Sequence, residues 1–280
     1  MQGYGDWNSR SGDGTNTQAF TNMERGVMFG VDGLMEDAPG WRLGTAFGVG
    51  QSNYRLTADP GNSAKGSADH YRLAAFAERE WGGLSLYAAG DYAYHRIDTN
   101  RFVSFDGYQE YQRAAYHGQT LGGFAGTAYA FDAVPKVSIE PFANVTYGYT
   151  LISNFGETGT AGLHAGEDTA VQGATMVGTR LRQRIEFTPA PEPGAAYGSL
   201  ALQIGWRHRI GAAAPEGTYA FTGSAPFTTM GARDARDALA LAFGVDVHMT
   251  RALSLNLAYD GSLAAAASSN AVHGALIWRW

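Results

Sequence analysis

Glu140, Arg180, Arg182 and Arg184 stand in two segments of alternating polarity joined by a connection near 152–168. If that connection folds symmetrically its centre is position 160, and Glu140 and Arg180 are equidistant from it. The two then oppose each other across an antiparallel pair. The chemistry expected is an ion pair that fixes register. A second reading makes the pair part of a polar lining. Arg207 and Arg209 extend the cations onto the next segment, a stripe suited to anions or to an acidic helix face. Asp91 and His95 share one strand face, four residues apart, which raises acid–base chemistry. No serine nucleophile motif stands beside them, so a hydrogen bond is expected. His164 and Glu167 fall in an exterior loop, where no metal role is expected. Gly82-Gly83 and Gly122-Gly123 lack the strand, glycine loop and helix of a phosphate site. They read as turn and strand. No catalytic residue, cofactor or metal is expected.

The elements that must carry these residues have a period of two. In Val137 to Leu151 the odd positions are apolar and end in Tyr147 and Tyr149, while the even ones are polar or small. This run far exceeds the globular strand average of about 5–6 residues. Val171 to Phe187, Leu200 to Arg209, Leu239 to His248, Leu253 to Asp260, Trp41 to Val49 and Val272 to Trp280 repeat the pattern. Weaker alternation marks Gly3–Arg10, Asn22–Met35, Ser67–Trp81, Leu84–Ile97 and Arg113–Phe131. Twelve strands are expected. Their connections fall near 11–21, 36–40, 57–66, 82–83, 98–112, 132–136, 152–168, 188–196, 211–236, 249–251 and 262–270. Long and short alternate, and turn residues fill short ones such as Asp37 to Gly40 and Pro189 to Gly194.

Composition narrows the architecture. The chain has 280 residues, 16% charged, with 38 glycines, 15 tyrosines, no cysteine and a net charge of −6. Cysteine-based metal sites and disulfides are excluded, and the acidic balance gives no reason to expect nucleic acid. The two longest stretches free of Asp, Glu, Lys and Arg, Ala114 to Phe131 and Gly261 to Trp278, carry polar residues and glycines, so neither is a membrane helix. A soluble sandwich fails because the polar strand faces are too poor in charge and the strands too long. What remains is an all-β fold: a 12-stranded antiparallel up-and-down barrel in a membrane. Strands tilted near 40° would cross an apolar band of roughly 25 Å. An even strand number puts both termini on the tight-turn, periplasmic side. One domain over 1–280 is expected. No leader is legible, and the opening Met1-Gln2-Gly3 reads as the start of an excised domain.

The order of several short motifs resembles the C-terminal translocator domain of autotransporters, the type Va secretion proteins of Gram-negative bacteria. Gly3-Tyr4-Gly5-Asp6-Trp7 is similar to that family's first strand. Gly30-Val31-Asp32-Gly33 with Trp41-Arg42-Leu43-Gly44 resembles its second hairpin. Asp69-His70-Tyr71-Arg72-Leu73, Trp81-Gly82 and Tyr94 through Arg101 follow its middle. Glu140-Pro141-Phe142-Ala143 and Val177-Gly178-Thr179-Arg180 are similar to its most recognisable strands. Trp280, with alternating Trp278, Leu276 and Val272, looks like the terminal signal read by the barrel assembly machinery.

The resemblance implies an outer-membrane pore that supports export of its own N-terminal passenger, with Glu140, Arg180, Arg182, Arg184 and Arg207 lining the lumen. It implies as partners the passenger and its linker helix, the assembly machinery, periplasmic chaperones, lipid and lipopolysaccharide. Passenger and helix are expected to be missing here, and the Asn pair of an autocatalytic cleavage site is not present. The connection 211–236, with Pro215, Pro226, Arg233, Asp234 and Arg236, is expected as a plain loop or, more sharply, a hairpin that assists secretion. A general outer-membrane channel is the alternative, and a hydrolase on a similar barrel a weaker one.

Overall fold

The computed structural model describes residues 1–12, 18–57, 63–187, 195–211, 216–231 and 235–279. Its strands are β1 Gln2–Arg10, β2 Ala19–Leu34, β3 Trp41–Thr57, β4 Ser63–Trp81, β5 Leu84–Phe105, β6 Tyr108–Tyr129, β7 Phe131–Val134, β8 Val137–Ile152 and β9 Phe155–Gly156. They continue as β10 Leu163–Ala165, β11 Asp168–Glu186, β12 Tyr197–Ile210, β13 Glu216–Phe221, β14 Phe227–Met230, β15 Asp237–His248, β16 Leu253–Ala264 and β17 Ala267–Trp278. Twelve of these form one antiparallel ring in the order β1-β2-β3-β4-β5-β6-β8-β11-β12-β15-β16-β17. It closes where Gln2 pairs with Ala275 and Arg10 with Ala267. Closure leaves no edge for another chain and bonds the backbone internally, as lipid demands.

The two faces of the wall are inverted relative to a soluble protein. Val145, Leu202, Ile204, Phe243, Leu257 and many other large apolar side chains are exposed on the outside. The buried apolar set is almost all alanine, with Ile97 and Phe142 the large members. Such an exterior fits only an apolar surrounding. Among the exposed aromatic residues, Tyr147 and Tyr149 stand near the long-connection end of β8, Trp41, Trp81 and Trp278 at the short-connection ends of their strands, and Tyr71 and Tyr92 midway along β4 and β5. Glycines inside the wall let aromatic rings lie flat against it. Phe76 covers Gly44, where an added Cβ would collide with the ring, and Phe142 reaches across Gly178 and Gly205.

Several boundaries differ from the sequence expectation. The segment 98–112 is not a loop: β5 and β6 stay paired out to Phe105 and Tyr108 around Asp106-Gly107, with Gly107 at φ 79°. Likewise 262–270 is two strands joined at Ala265-Ala266. Polar residues there satisfy their backbone by strand pairing, so polarity marked the end of the apolar band rather than the end of the strand. Residue counts therefore do not alternate throughout; 106–107 is as short as 82–83. The turn at Pro189 to Gly194 lies outside the described residues.

The connections 153–167 and 211–236 are not plain loops either. Their segments β9, β10, β13 and β14 form a four-stranded sheet in the order β14-β13-β10-β9. Among the residues of the second connection, Pro215, Arg233 and Asp234 lie outside the described residues.

Candidate functional site: the barrel lumen

Strand alternation decides which side chains reach the bore. On β8 the inward set contains Ser138, Glu140 and Phe142; on β11 it contains Met176, Gly178, Arg180, Arg182 and Arg184. The β8–β11 register pairs Arg180 with Glu140 directly. Arg180 Nη1 lies 3.3 Å and Arg182 Nε 3.0 Å from the Glu140 carboxylate, and Ser138 Oγ donates to it at 3.3 Å. Arg180 turns its other nitrogens to Gln203 Oε1 on β12, at 3.0 and 3.2 Å. Arg184 stacks on the Tyr197 ring at 3.8 Å. Arg207 and Arg209 are opposite Met176 and Ala174, nearer the long connections. The arginines are thus divided into two groups rather than one stripe, separated by the level of Gly178 and Gly205, where Phe142 lies.

On the far side of the ring the charge reverses. Asp6 and Glu24 are directly opposed on β1 and β2. Tyr4 OH donates to Glu24 at 3.2 Å, and Asn8 donates to Asp6. Further round, Arg42 pairs with Asp32 at 2.5 Å, Arg72 with Asp91 at 3.5 Å, and His273 with Asp260 at 3.3 Å.

Asp91 and His95 do not meet. Two inward residues four apart on a strand are roughly 13 Å from each other, so each finds its partner on a neighbouring strand. His95 instead belongs to a belt that sequence reasoning missed. Ser52 Oγ is 2.8 Å from His70 Nε2, His70 Nδ1 is 2.7 Å from His95 Nδ1, and His95 Nε2 is 2.9 Å from Thr120 Oγ1. Thr120 Oγ1 is 3.0 Å from Thr150 Oγ1. Five consecutive wall strands, β3, β4, β5, β6 and β8, are tied at one level. The signal was available: the Gly82-Gly83 turn makes His70 and His95 equidistant from its centre. Ser52, His70 and His95 have the connectivity of nucleophile, base and orienter. Ser52 is only 7% exposed, however, and its strand is paired on both sides, which consumes the backbone donors an oxyanion would need.

At the end bearing the long connections the mouth is covered. Beyond Gly118, β6 has no pairing with β8, and the segment 153–167 takes that place. Thr158 N bonds to Arg113 O, Phe155 stacks on Tyr116 at 4.5 Å, and Arg101 Nε donates to Glu157 Oε1 at 3.1 Å. Glu110, on the projecting part of β6, accepts from Thr160 N at 2.8 Å and from Tyr108 and Gln112; these bonds hold its carboxyl below the ordinary range. Phe155 in turn meets Tyr219 of β13. Burial raises the Tyr219 hydroxyl, with help from Asp168 and Glu157. His164 bonds to Thr222, not to Glu167.

At the opposite end Trp278 is 63% exposed on the outer face and pairs with Leu253. Trp280 lies outside the described residues. Among the described residues no group of His, Cys, Asp and Glu could hold a metal ion.

The single ring of strands has known counterparts. The translocator domain of the autotransporter NalP from Neisseria meningitidis superposes with a TM-score of 0.73 at 15% identity, covering all of this chain and 86% of that one. The β-domain of the Bordetella autotransporter BrkA gives 0.64 at 16% identity, over 100% and 98% of the two chains. The transport unit of AIDA-I from Escherichia coli gives 0.62 at 13%, over 100% and 89%. At these identities the likeness is one of fold. In sequence, two proteins of Serratia marcescens described as extracellular serine proteases are 30% and 28% identical over 278 residues, 99% of this chain. The chain spans about a quarter of the length of those relatives. The family model described as the autotransporter β-domain matches residues 1–260. This chain therefore belongs to the autotransporter β-domain family, whose barrels are integral to the outer membrane.

Proposed function

We propose that this barrel spans the outer membrane with its long connections outside and both termini in the periplasm, and that it supports export of an N-terminal passenger through its bore. The observation that carries the reading is the closed ring of twelve strands around a charged interior. Strands about 4.8 Å apart and tilted near 40° give a backbone cylinder roughly 24 Å across. Side chains take about 5–6 Å from each wall, which leaves close to the 10–12 Å that one helix occupies. Glu140, Arg180, Arg182, Arg184 and Arg207 line this passage, opposite the carboxylates of Asp6 and Glu24. Charges of opposite sign on the two sides of the bore, the carboxylates nearer the long connections, would orient a charged helix within it.

The domain runs over 1–280 and performs no covalent chemistry. Insertion depends on the barrel assembly machinery and periplasmic chaperones, with Trp278 and Trp280 as the assembly signal. The protease activity in the relatives' descriptions belongs to those whole proteins and is not carried to this barrel. The test is surface display. A small reporter is placed, with a leader and the native linker, ahead of Gln2, and intact cells are treated with protease. Loss of the reporter from intact cells is expected; a reporter cut only after the outer membrane is permeabilised overturns the reading. Planar-bilayer conductance that shows solute selectivity and is unchanged by a linker-helix peptide would favour a general channel instead.

A further inference from the structure

The outer wall carries a patch of charge that the lumen does not explain. Just beyond Tyr71 and Tyr94, most outward side chains on β2 to β6 become polar, with Met23 and Ala115 the apolar ones between two polar levels. At the first level are Arg25, Gln51, Asp69, Arg96 and His117, each opposite the next in the strand register; Gln51 Nε2 donates to Asp69 at 3.2 Å. Two levels further are Thr21, Arg55, Lys65, Asn100 and Arg113. All five cations are exposed. Arg55 and Lys65 are directly opposed on neighbouring strands, a like-charge juxtaposition that destabilises a sheet. Lys65 is one of only two lysines in the chain. Among the described residues none of the five is held by a carboxylate, although Asp69 and Asp98 face the same side. Five cations against two carboxylates make this face basic, in a chain whose net charge is −6. Arg55, Lys65 and Arg113, with Trp7 and Met23, border a concavity of about 890 Å³.

We propose that this patch binds the phosphorylated headgroup of an outer-leaflet glycolipid, with Arg55, Lys65 and Arg113 gripping phosphate and Arg25 and Arg96 flanking it. The inference rests on the proposed orientation, which puts the patch at the outer leaflet. The side chains lie on the lipid-facing parity of their strands and begin where the apolar wall and its tyrosines end. At that height the neighbour of the wall is a lipid headgroup, and phosphate is the anion that complements opposed Arg and Lys. The row from Arg55 to Arg113 spans three strand spacings, about 14 Å, which suits a headgroup with more than one phosphate.

The refolded barrel in non-ionic detergent is titrated with a bisphosphorylated glycolipid, the same lipid after phosphatase treatment, and inorganic phosphate, with binding read by native mass spectrometry. The bisphosphorylated lipid is expected to bind at least tenfold tighter than the other two. The R55Q/K65Q variant is expected to weaken it at least tenfold, and Arg113→Gln several-fold. These side chains point away from the bore, and gel mobility before and after heating checks that each variant has folded. Equal binding of the two lipids, free phosphate binding as tightly as the lipid, or an R55Q/K65Q variant that binds like the wild type overturns the proposal. A peptide tag between Gly223 and Ser224 reports orientation in cells separately. A tag that external reagents cannot reach overturns the orientation without touching the binding result.

Discussion

Removing Glu140 should cost more than removing either arginine it holds. Its carboxylate receives Arg180, Arg182 and Ser138, and its side chain is 12% exposed. A hydrogen bond to a charged group is worth about 1.5–3 kcal/mol, and a half-exposed ion pair about 0–1 kcal/mol. Arg182 is the half-exposed partner, at 49%. Glu140→Ala therefore loses about 3 kcal/mol, since it also leaves two guanidiniums without their anion. Arg180→Ala loses less, about 2 kcal/mol, because Glu140 keeps Arg182 while Gln203 loses its donor. Arg182→Ala should cost about 0.5 kcal/mol. The Glu140–Arg180 coupling in a double-mutant cycle should be about 1 kcal/mol.

The assay is urea unfolding of the barrel in lipid vesicles, followed by tryptophan emission. With a slope of about 2 kcal/mol per molar, Glu140→Ala lowers the midpoint by about 1.5 M. Strictly additive losses, or an Arg180→Ala midpoint at or below that of Glu140→Ala, would refute the assignment of the carboxylate as the hub of the cluster.

Gly44→Ala should displace the Phe76 ring and destabilise the barrel by about 1–3 kcal/mol, with partial recovery in the Gly44→Ala/Phe76→Leu pair; Gly178→Ala should not recover with Phe142→Leu, because its Cβ would also meet the Ile204 carbonyl and the Gly205 Cα. Midpoints of the four variants decide this. The hold of Glu110 on Thr160 should be present above the ordinary carboxylate range and fade as pH falls through the lowered value of the folded state. Faster exchange of the Thr160 amide in acid, after correction for intrinsic rates, checks it; Glu110→Gln should flatten the dependence. Glu157 has a side chain only 7% exposed and binds both Arg101 and the Leu163 amide, so Glu157→Ala should loosen the mouth by about 2 kcal/mol and raise single-channel conductance. Unchanged conductance would show that the cover over the mouth does not limit the bore.

The ring of strands was legible because period two survives in lipid with its faces exchanged. Val145 and Leu257 stay exposed as Glu140 and Arg180 turn inward. The alignment of Glu140 with Arg180 followed from a loop centre alone, since a hairpin fixes all of its pairs at once. The same reasoning reaches His70 and His95 from Gly82-Gly83, and Arg180 and Gln203 from the turn between β11 and β12. It fails for diagonal contacts such as Ser52 to His70, where side-chain reach decides. It fails too for the mouth. The sheet of β9, β10, β13 and β14 joins two connections far apart in sequence, and short polar strands there carry no periodic signal. The length of β5 and β6 was missed for a related reason: above the membrane both of their faces are wet or covered by loops, so alternation no longer reports a strand.

The direction of the interior contacts connects stability to passage. Glu140 to Arg180, Arg180 to Gln203, Arg72 to Asp91, His70 to His95, Thr120 to Thr150 and His273 to Asp260 each join neighbouring strands of the ring. These run around the wall rather than across the bore; the longer reach from Tyr54 on β3 to Tyr116 on β6 is at the covered mouth. A wall-bound pair restrains strand register and satisfies its own charges, yet places nothing in the path of a chain. Contacts spanning the bore would stabilise the barrel equally well but would have to break at every passage. The covering contacts that do close the mouth, Phe155 on Tyr116 and Glu157 on Arg101, are made by connecting segments. Such segments can open without loosening the ring. The division predicts that disrupting the wall pairs lowers stability with little change in conductance, while disrupting the mouth does the reverse. A Glu140→Ala barrel with raised conductance and an unchanged midpoint would place that carboxylate across the path instead of along the wall.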